Sequence, residues 1–477
     1  MGKVARSTSK FGLRKCTHKQ DWISLLPDEI LVAILSRVTL KEAATTSILC
    51  RRWRYLWTYT TGSLNFDASK TLYELGQRWK SRSVEMFNYV NWVNQVLKLH
   101  QGSSVDEFRI CFDLDENYFS EVDRWVNFAI EKGVQRFELD LSNCFQFTMV
   151  SDPNYNFLSS DKFSLPFSSN TLNHLHSNRQ IARPHGFAGL TSLSLKQVDV
   201  TQEVLEYFLS NCLLLESLSV DVSNCLVSLK VAGPSLNLKY LRISGCRFLE
   251  NLEISAINLV SFTYFGPKIS VPLNDVPLLS ELSIGFEYAV YFIKEPHQHL
   301  HYFSQLETLK LDLYFLRGEL FIQFPGEFPE LRNLKNLELM VQSWSHIDLS
   351  HFTSLIKASP FLSRFKIQLL SEESRAQRKA MRKYRCFDRL EREATNCHQC
   401  LKVVELVGFI GHGSDAELAS HLIEIAVSLE KMTINSCSPY VLGSPGEFED
   451  NKVRRAARKR AEKLRTKLPL GAKLEII

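Results

Sequence analysis

The sequence predicts an α/β chain: a short helical segment followed by a solenoid whose strands form one curved parallel sheet. Two observations predict it. An apolar triplet, spaced as apolar, two free positions, apolar, one free position, apolar, recurs from residue 105 to residue 434. Upstream, between Asp21 and Thr60, apolar residues recur at helical spacing in greater number than so short a segment can bury. With 477 residues, 45% apolar and 23% charged, the chain is long enough for a large core.

Residues 1–20 carry six Lys or Arg and no acid, which predicts a solvated basic tail, with nuclear import the next reading and a transit peptide the last. Three helices follow. Pro27, Asp28 and Glu29 start the first, where a proline is tolerated and acids complement the helix dipole, and Ile30, Leu31, Ile34 and Leu35 line it. Leu40, Ala43, Ala44, Ile48 and Leu49 predict a second, and Trp53, Leu56 and Trp57 the apolar side of a third, opposite Arg51, Arg52 and Arg54. Units below about 40 residues usually need a metal, a disulfide or a partner, so a helical partner is expected. Taken alone, the same residues also fit a helical cap on whatever follows.

Leu26-Pro27-Asp28-Glu29-Ile30-Leu31, Ile34-Leu35-Ser36-Arg37, Leu40-Lys41-Glu42-Ala43 and Thr46 through Trp57 resemble an F-box of the kind found in large plant families. Val38-Thr39 stands where Leu-Pro is usual, and Cys50 where Ser is common. The resemblance implies docking on a Skp-type adaptor and through it on a cullin ubiquitin ligase. By position, Leu26, Pro27, Ile30, Leu31, Ile34, Leu35, Leu49 and Trp53 would line that contact.

Residues 61–104 read as a helical linker: a connector anchored by Leu64, Phe66 and Trp79, then a helix over 81–99 with Val84, Phe87, Val90, Val93, Val96 and Leu97 inward, closing at Gly102. A second helix is expected over 120–131, with Trp125, Phe128 and Ile130 inward and Gly133 as its stop. Triplets begin at 105, 134, 190, 215, 238, 259, 279, 306, 334, 362, 401 and 429, and from 190 to 362 their steps run from 20 to 28 residues. That is the leucine-rich-repeat period, in which stacking is obligatory because no unit buries its own apolar face. Extra copies at Leu226 and Leu249 sit midway between main ones, so the return side there is expected to be strand; Thr201 to Cys212 reads as a helical return. Residues 142–189 read as a long loop around a weak copy at Leu172 and Leu175.

The solenoid is expected over 105–370 and an exposed charged insertion over 371–396. Cys397-His398-Gln399-Cys400 has the spacing of half a zinc site, with Cys386 the sole nearby third ligand, so no metal is expected. His297, His299 and His301 would share a face on a strand, though a loop beside Pro296 is the easier reading. Gly408 to Gly413 is a Gly-rich strand-to-helix turn without the spacing or lysine of a phosphate loop, followed by a capping box of Ser414 and Glu417. Cys400-Leu401-Lys402, Val404 through Gly411, Glu417-Leu418-Ala419, Leu422-Ile423, Ala426 and Leu429 through Ile434 resemble the FBD domain that closes many plant F-box proteins with leucine-rich repeats. An FBD region with a basic C-terminal helix is therefore expected over 397–477.

The net charge of +5 is an end effect: residues 452–467 carry nine basic side chains and one acid, and outside both ends 42 basic face 51 acidic residues. Nucleic acid is thus an unfavoured partner. Eleven cysteines suggest buried thiols, with Cys212, Cys225 and Cys246 at repeat turns. No apolar run spans a membrane and no secretory signal is evident, so nucleus or cytoplasm is expected. No GxSxG, HExxH or P-loop occurs, which favours a non-catalytic receptor without cofactors over a hydrolase or transferase. The family resemblance implies that the repeats bind a protein to be ubiquitinated, with a small-molecule co-ligand or a scaffold without degradation as alternatives. On the concave face, Tyr240, Arg242, Glu281, Lys310, Asp312, Glu338, Arg364 and Lys366 are the target-facing candidates.

Overall fold

The computed structural model describes residues 22–76, 81–142, 165–166, 187–233, 236–313, 328–342, 352–370, 397–411, 414–439, 442 and 451–477. The first two helices are α1 (Asp28–Leu35) and α2 (Leu40–Thr45), and a 3-10 helix over Trp53–Tyr59 completes the N-terminal helical segment. Thr39 starts α2 with a capping box: its hydroxyl accepts from the Glu42 amide while the Glu42 carboxylate accepts from the Thr39 amide, satisfying two end donors at once.

The strands follow in chain order as β1 (Ser63–Asp67), β2 (Glu107–Cys111), β3 (Arg136–Asp140), β4 (Leu165–Pro166), β5 (Ser192–Lys196), β6 (Val198–Asp199), β7 (Ser217–Asp221), β8 (Ser228–Ala232), β9 (Tyr240–Ser244) and β10 (Asn251–Ser255). After them come β11 (Ser261–Phe265), β12 (Leu273–Asn274), β13 (Glu281–Gly285), β14 (Thr308–Leu313), β15 (Asn336–Gln342), β16 (Arg364–Leu370), β17 (Val403–Val407), β18 (Lys431–Asn435) and β19 (Lys473–Ile476). Fourteen of them make one curved sheet in the order β1-β2-β3-β5-β7-β9-β11-β13-β14-β15-β16-β17-β18-β19, parallel throughout. A second parallel sheet, β8-β10-β12, forms the return wall where the triplets are doubled, as their close spacing predicts.

The triplets explain the stacking. The first apolar residue sits at the corner before the strand and closes a tight turn: the amides of Leu190, Leu215, Leu259, Leu279, Leu334, Leu362 and Leu429 each donate to the carbonyl three residues back. The next two amides both donate to one carbonyl of the preceding repeat, as Lys239 and Tyr240 do to Glu216, and Val260 and Ser261 to Lys239. Each corner thus satisfies its polar backbone on its neighbour, while the triplet side chains bury. Leu193, Leu241, Leu282, Leu309, Leu337 and Val404 all lie in one continuous core.

The helices cover the triplet side. These are α3 (Ser69–Gly76), α4 (Arg82–Leu99), α5 (Phe119–Glu131), α6 (Gln202–Asn211), α7 (Phe286–Lys294), α8 (Leu300–Phe303), α9 (Thr353–Lys357), α10 (Ser414–Ile425) and α11 (Lys452–Glu462). The α6 return buries Val204, Leu205, Phe208 and Leu209, as its spacing predicts.

Several expectations are corrected. The solenoid begins at Ser63, because β1 lies inside the expected linker and pairs with β2 in register Leu64 to Phe108. On α4 the buried face is Met86, Tyr89, Val90, Val93 and Val96, and Val84 and Phe87 are exposed. The Tyr89 hydroxyl explains the rotation: it donates to the Phe66 carbonyl (2.6 Å) and accepts from the Cys111 amide, so the helix turns to place it there. On α5, Trp125, Val126 and Ala129 are buried and Phe128 and Ile130 are partly covered. Cys212 and Cys246 are buried, with thiols pushed up to about 12 by desolvation, whereas Cys225 is exposed. The His297–His301 stretch, read most easily as a loop, is a 3-10 helix running into α8. Trp79, the weak copy at Leu172 and Leu175, Cys386 and the insertion at 371–396 lie outside the described residues.

Candidate docking surfaces

The N-terminal helical segment divides its apolar residues between core and surface. Leu31, Leu35, Ala43, Trp53 and Leu56 form its own small core. Leu31, Leu35 and Trp53, expected at the adaptor contact, are therefore corrected to interior residues that hold the three helices together. The other candidates lie outside: Ile30 and Ile34 are 48% and 44% exposed one turn apart on α1, Leu49 is 63% exposed, Pro27 is exposed and Leu26 half-buried. Ile48, absent from the expected set, is the most exposed large apolar residue of the segment at 88%. Its place at the end of the second apolar run is the signal that could have found it. Arg52 ties the face to α1 by pairing with Asp28.

A second surface is the side of the sheet opposite the helices. Parallel register lines up the free positions in rows: Arg109, Glu138, Ser194, Ser219, Arg242, Thr263, Ser283, Lys310, Glu338, Lys366 and Glu405 form one. Its two ends are charge ladders. At one end Arg109 bridges Asp67 and Glu138 (3.0 Å each), and Lys196 bridges Glu138 and Asp140. The Asp67 carboxyl is lowered although burial opposes it, because the Ser69 hydroxyl and amide and Arg109 favour its charged form. Lys196 is raised against its burial by Asp140 and Glu138. At the other end Glu338 lies 3.8 Å from Lys310 and 3.3 Å from Lys366, which also approaches Glu405. Between the ladders the rows are hydroxyl-rich: Ser192, Ser217 and Ser261 flank Tyr240, and Thr263 and Ser283 follow Arg242.

The eight target-facing candidates all fall on this side. Tyr240 is half exposed. Arg242 sits over the Phe265 ring and pairs with Asp221 at 2.9 Å. Lys310, Glu338 and Lys366 belong to the ladder, Asp312 adjoins Gly285, and Glu281 and Arg364 are exposed at strand starts.

The remaining motifs resolve into structure. His398 is buried, its Nε2 2.9 Å from the Ser359 carbonyl and its Nδ1 accepting from the Cys400 and Leu401 amides. Both ring nitrogens are thus occupied in pinning a corner. At the Gly-rich turn, Gly408 and Gly411 have positive φ, and the Asp415 carboxylate accepts from the Ile410 and Gly411 amides at 2.7 Å each. The chain's own acid fills the place a phosphate would take, and α10 starts at Ser414 itself. Among the described residues no group of His, Cys, Asp and Glu is arranged to hold a metal ion.

A three-helix segment fused to a solenoid with one strand per turn defines an F-box protein with leucine-rich repeats. Comparison with known proteins agrees: residues 96–465 match the family described as At1g61320/AtMIF1, LRR domain, and residues 23–60 match the F-box domain. The chain belongs to this plant family. Its relatives in Arabidopsis thaliana include F-box/FBD/LRR-repeat protein At1g13570, 30% identical over 57% of this chain and 63% of that protein. F-box/LRR-repeat protein 13 is 27% identical over half of each chain, and putative F-box/LRR-repeat protein At3g42770 is 37% identical over 24% of this chain and 22% of that protein. The match spans less than two thirds of each relative.

Proposed function

We propose that the protein is the substrate-recognition subunit of a Skp-cullin-F-box ubiquitin ligase. The F-box docks on the Skp-type adaptor, and the open face of the sheet holds the target. Residues 397–477 act as an FBD region that carries the sheet through its last three strands. The chain itself is assigned no catalysis; it raises the effective concentration of a target lysine near the conjugating enzyme.

The observation that carries this reading is an exposed apolar set on the segment's surface, Ile30, Ile34, Ile48 and Leu49 among them. Adaptor docking would cover them, while Leu31, Leu35 and Trp53 act beneath. The test is Ile30→Asp with Ile34→Asp, co-expressed with a plant Skp-type adaptor. The double variant should keep the wild-type denaturation midpoint and lose the stoichiometric complex on size exclusion. A wild-type chain that never forms that complex sinks the proposal.

A second reading, a scaffold associated with nucleic acid, draws on α11. Lys452, Arg455, Arg458 and Lys459 line a depression of about 370 Å³. Lys452→Glu with Lys459→Glu tests it: RNA retention that survives the change removes its support.

A further inference from the structure

Where the F-box meets the first repeat, α2 packs beside β1 without closing over it. Between them lies a groove of about 930 Å³, lined by Ser63 and Asn65 of β1, Lys41 and Ala44 of α2, Trp57 and Trp92. Strand β1 is the terminal strand of the sheet, and among the described residues no strand pairs with its outer edge.

The backbone shows which groups face the groove. The Gly62 carbonyl accepts from Glu107, the Phe66 carbonyl reaches β2 through the Tyr89 hydroxyl, and the Ala68 amide donates to Cys111. Even-numbered residues therefore bond to β2, and alternation directs the N–H and C=O of Ser63 and Asn65 outward. The next outward amide, that of Asp67, is taken by the Asn65 side chain. An edge strand with free backbone groups is a template for another strand, and natural proteins usually blunt it with proline, a bulge or a cover. None of these stands over Ser63 and Asn65 among the described residues.

We propose that this groove takes an extended, acidic segment of a partner protein, which adds to β1 as a further strand. Backbone bonds to Ser63 and Asn65 hold it, and its alternate side chains lie against Trp57 and Trp92. The charge of the segment follows from the F-box wall, where Arg37 and Lys41 are exposed and in no ion pair among the described residues. The acid in the groove, Asp67, is already held by Ser69 and Arg109. Neither Ile30 nor Ile34 lines this site, which borders the end of the open face at Asn65 and Asp67, and it stands whether or not the adaptor docks.

The test is selection of random eight-residue displayed peptides on the full chain, counter-selected on Asn65→Pro. Proline removes the outward N–H and leaves the bonds to β2, as edge strands tolerate. Enriched peptides should be acidic, lose at least tenfold in affinity when N-methylated at one set of alternate residues and little at the other, and weaken on Lys41→Glu. On binding, hydrogen exchange at Ser63 and Asn65 should slow. Should Asn65→Pro fail to fold, the N-methyl comparison decides alone. A selection yielding no peptides, or peptides indifferent to N-methylation register, overturns the proposal.

Discussion

The F-box and the repeats use the same residues, Leu and Ile at short spacing, to opposite ends. In the repeats every triplet position of β14, from Leu306 through Leu309 to Leu311, is buried, because a neighbour on each side completes what one turn cannot. In the F-box only alternate rows of α1 are covered, Leu31 and Leu35 inward and Ile30 and Ile34 outward. Apolar residues in a repeated frame report packing; in a segment too short to close on itself they report a missing partner.

The sharpest way to break this contrast is to empty one position on the repeat side. Leu309 lies between two paired strands and is fully buried. Leu309→Ala should cost about 2–5 kcal/mol, read as a lower denaturant midpoint, since tightly packed surroundings collapse poorly onto a cavity. Ile30→Ala on the exposed F-box row should stay within about 0.5 kcal/mol. Equal costs would erase the distinction.

The seam between the two regions comes next. A Cβ on Gly62 would stand 1.9 Å from the Ser36 carbonyl oxygen, a backbone atom with little room to give. The Thr61 amide donates to the Ser36 hydroxyl at 3.0 Å, and Leu40 of α2 joins the repeat core. Gly62→Ala should therefore cost about 1–3 kcal/mol as overpacking and loosen the F-box first, seen as faster hydrogen exchange in α2 before the repeats. Unchanged exchange there would mean the regions are not welded.

A pH dependence should arise at the same seam. His100 is buried, its Nε2 2.8 Å from the Thr60 carbonyl and its Nδ1 unpartnered, while the Gln101 and Gly102 amides donate to Thr58. Desolvation first, then Lys132, hold the imidazole below its ordinary 6.5, with the Thr60 bond opposing. A histidine so lowered stays neutral in the folded state while the unfolded chain takes up a proton. Its contribution is complete above about 6.5 and is lost as pH falls through the folded value. The denaturation midpoint should drop between pH 7.5 and 5.5, and His100→Gln should flatten that drop. A flat wild-type profile would contradict this.

What the sequence revealed, and what it hid, follows the same division. Twelve main strands were legible because each carries a full triplet. β1 and β19 were not, since Thr61 and Gly471 stand where the corner residue should be apolar. Among the described residues each of these two strands pairs with a neighbour on one edge alone. The F-box fold was legible from its pattern, yet its division into core and surface was not, because Ile30 and Leu31 are alike in type and differ only in which row of α1 they occupy. The charge ladders were equally hidden: Lys310, Glu338 and Lys366 stand 28 residues apart in sequence and become neighbours only once the register is fixed.

Those ladders give the smallest expected effect and refine the comparison within the open face itself. Glu338 sits between Lys310 and Lys366 and also accepts from the Gln368 amide at 2.8 Å. Glu338→Gln keeps the shape and removes the charge. Stability should fall by no more than about 1 kcal/mol, and less at high salt, because partly exposed ion pairs gain little over water. The larger consequence is electrostatic: Lys310 loses its counter-charge and Lys366 keeps only Glu405, so that end of the face becomes more positive beside the hydroxyl-rich stretch around Tyr240. A target bound across the ladder would then change its association rate and its salt dependence. One bound over the Ser217, Ser261 and Thr263 stretch would keep both, so a single substitution separates the two halves of the face as binding surfaces.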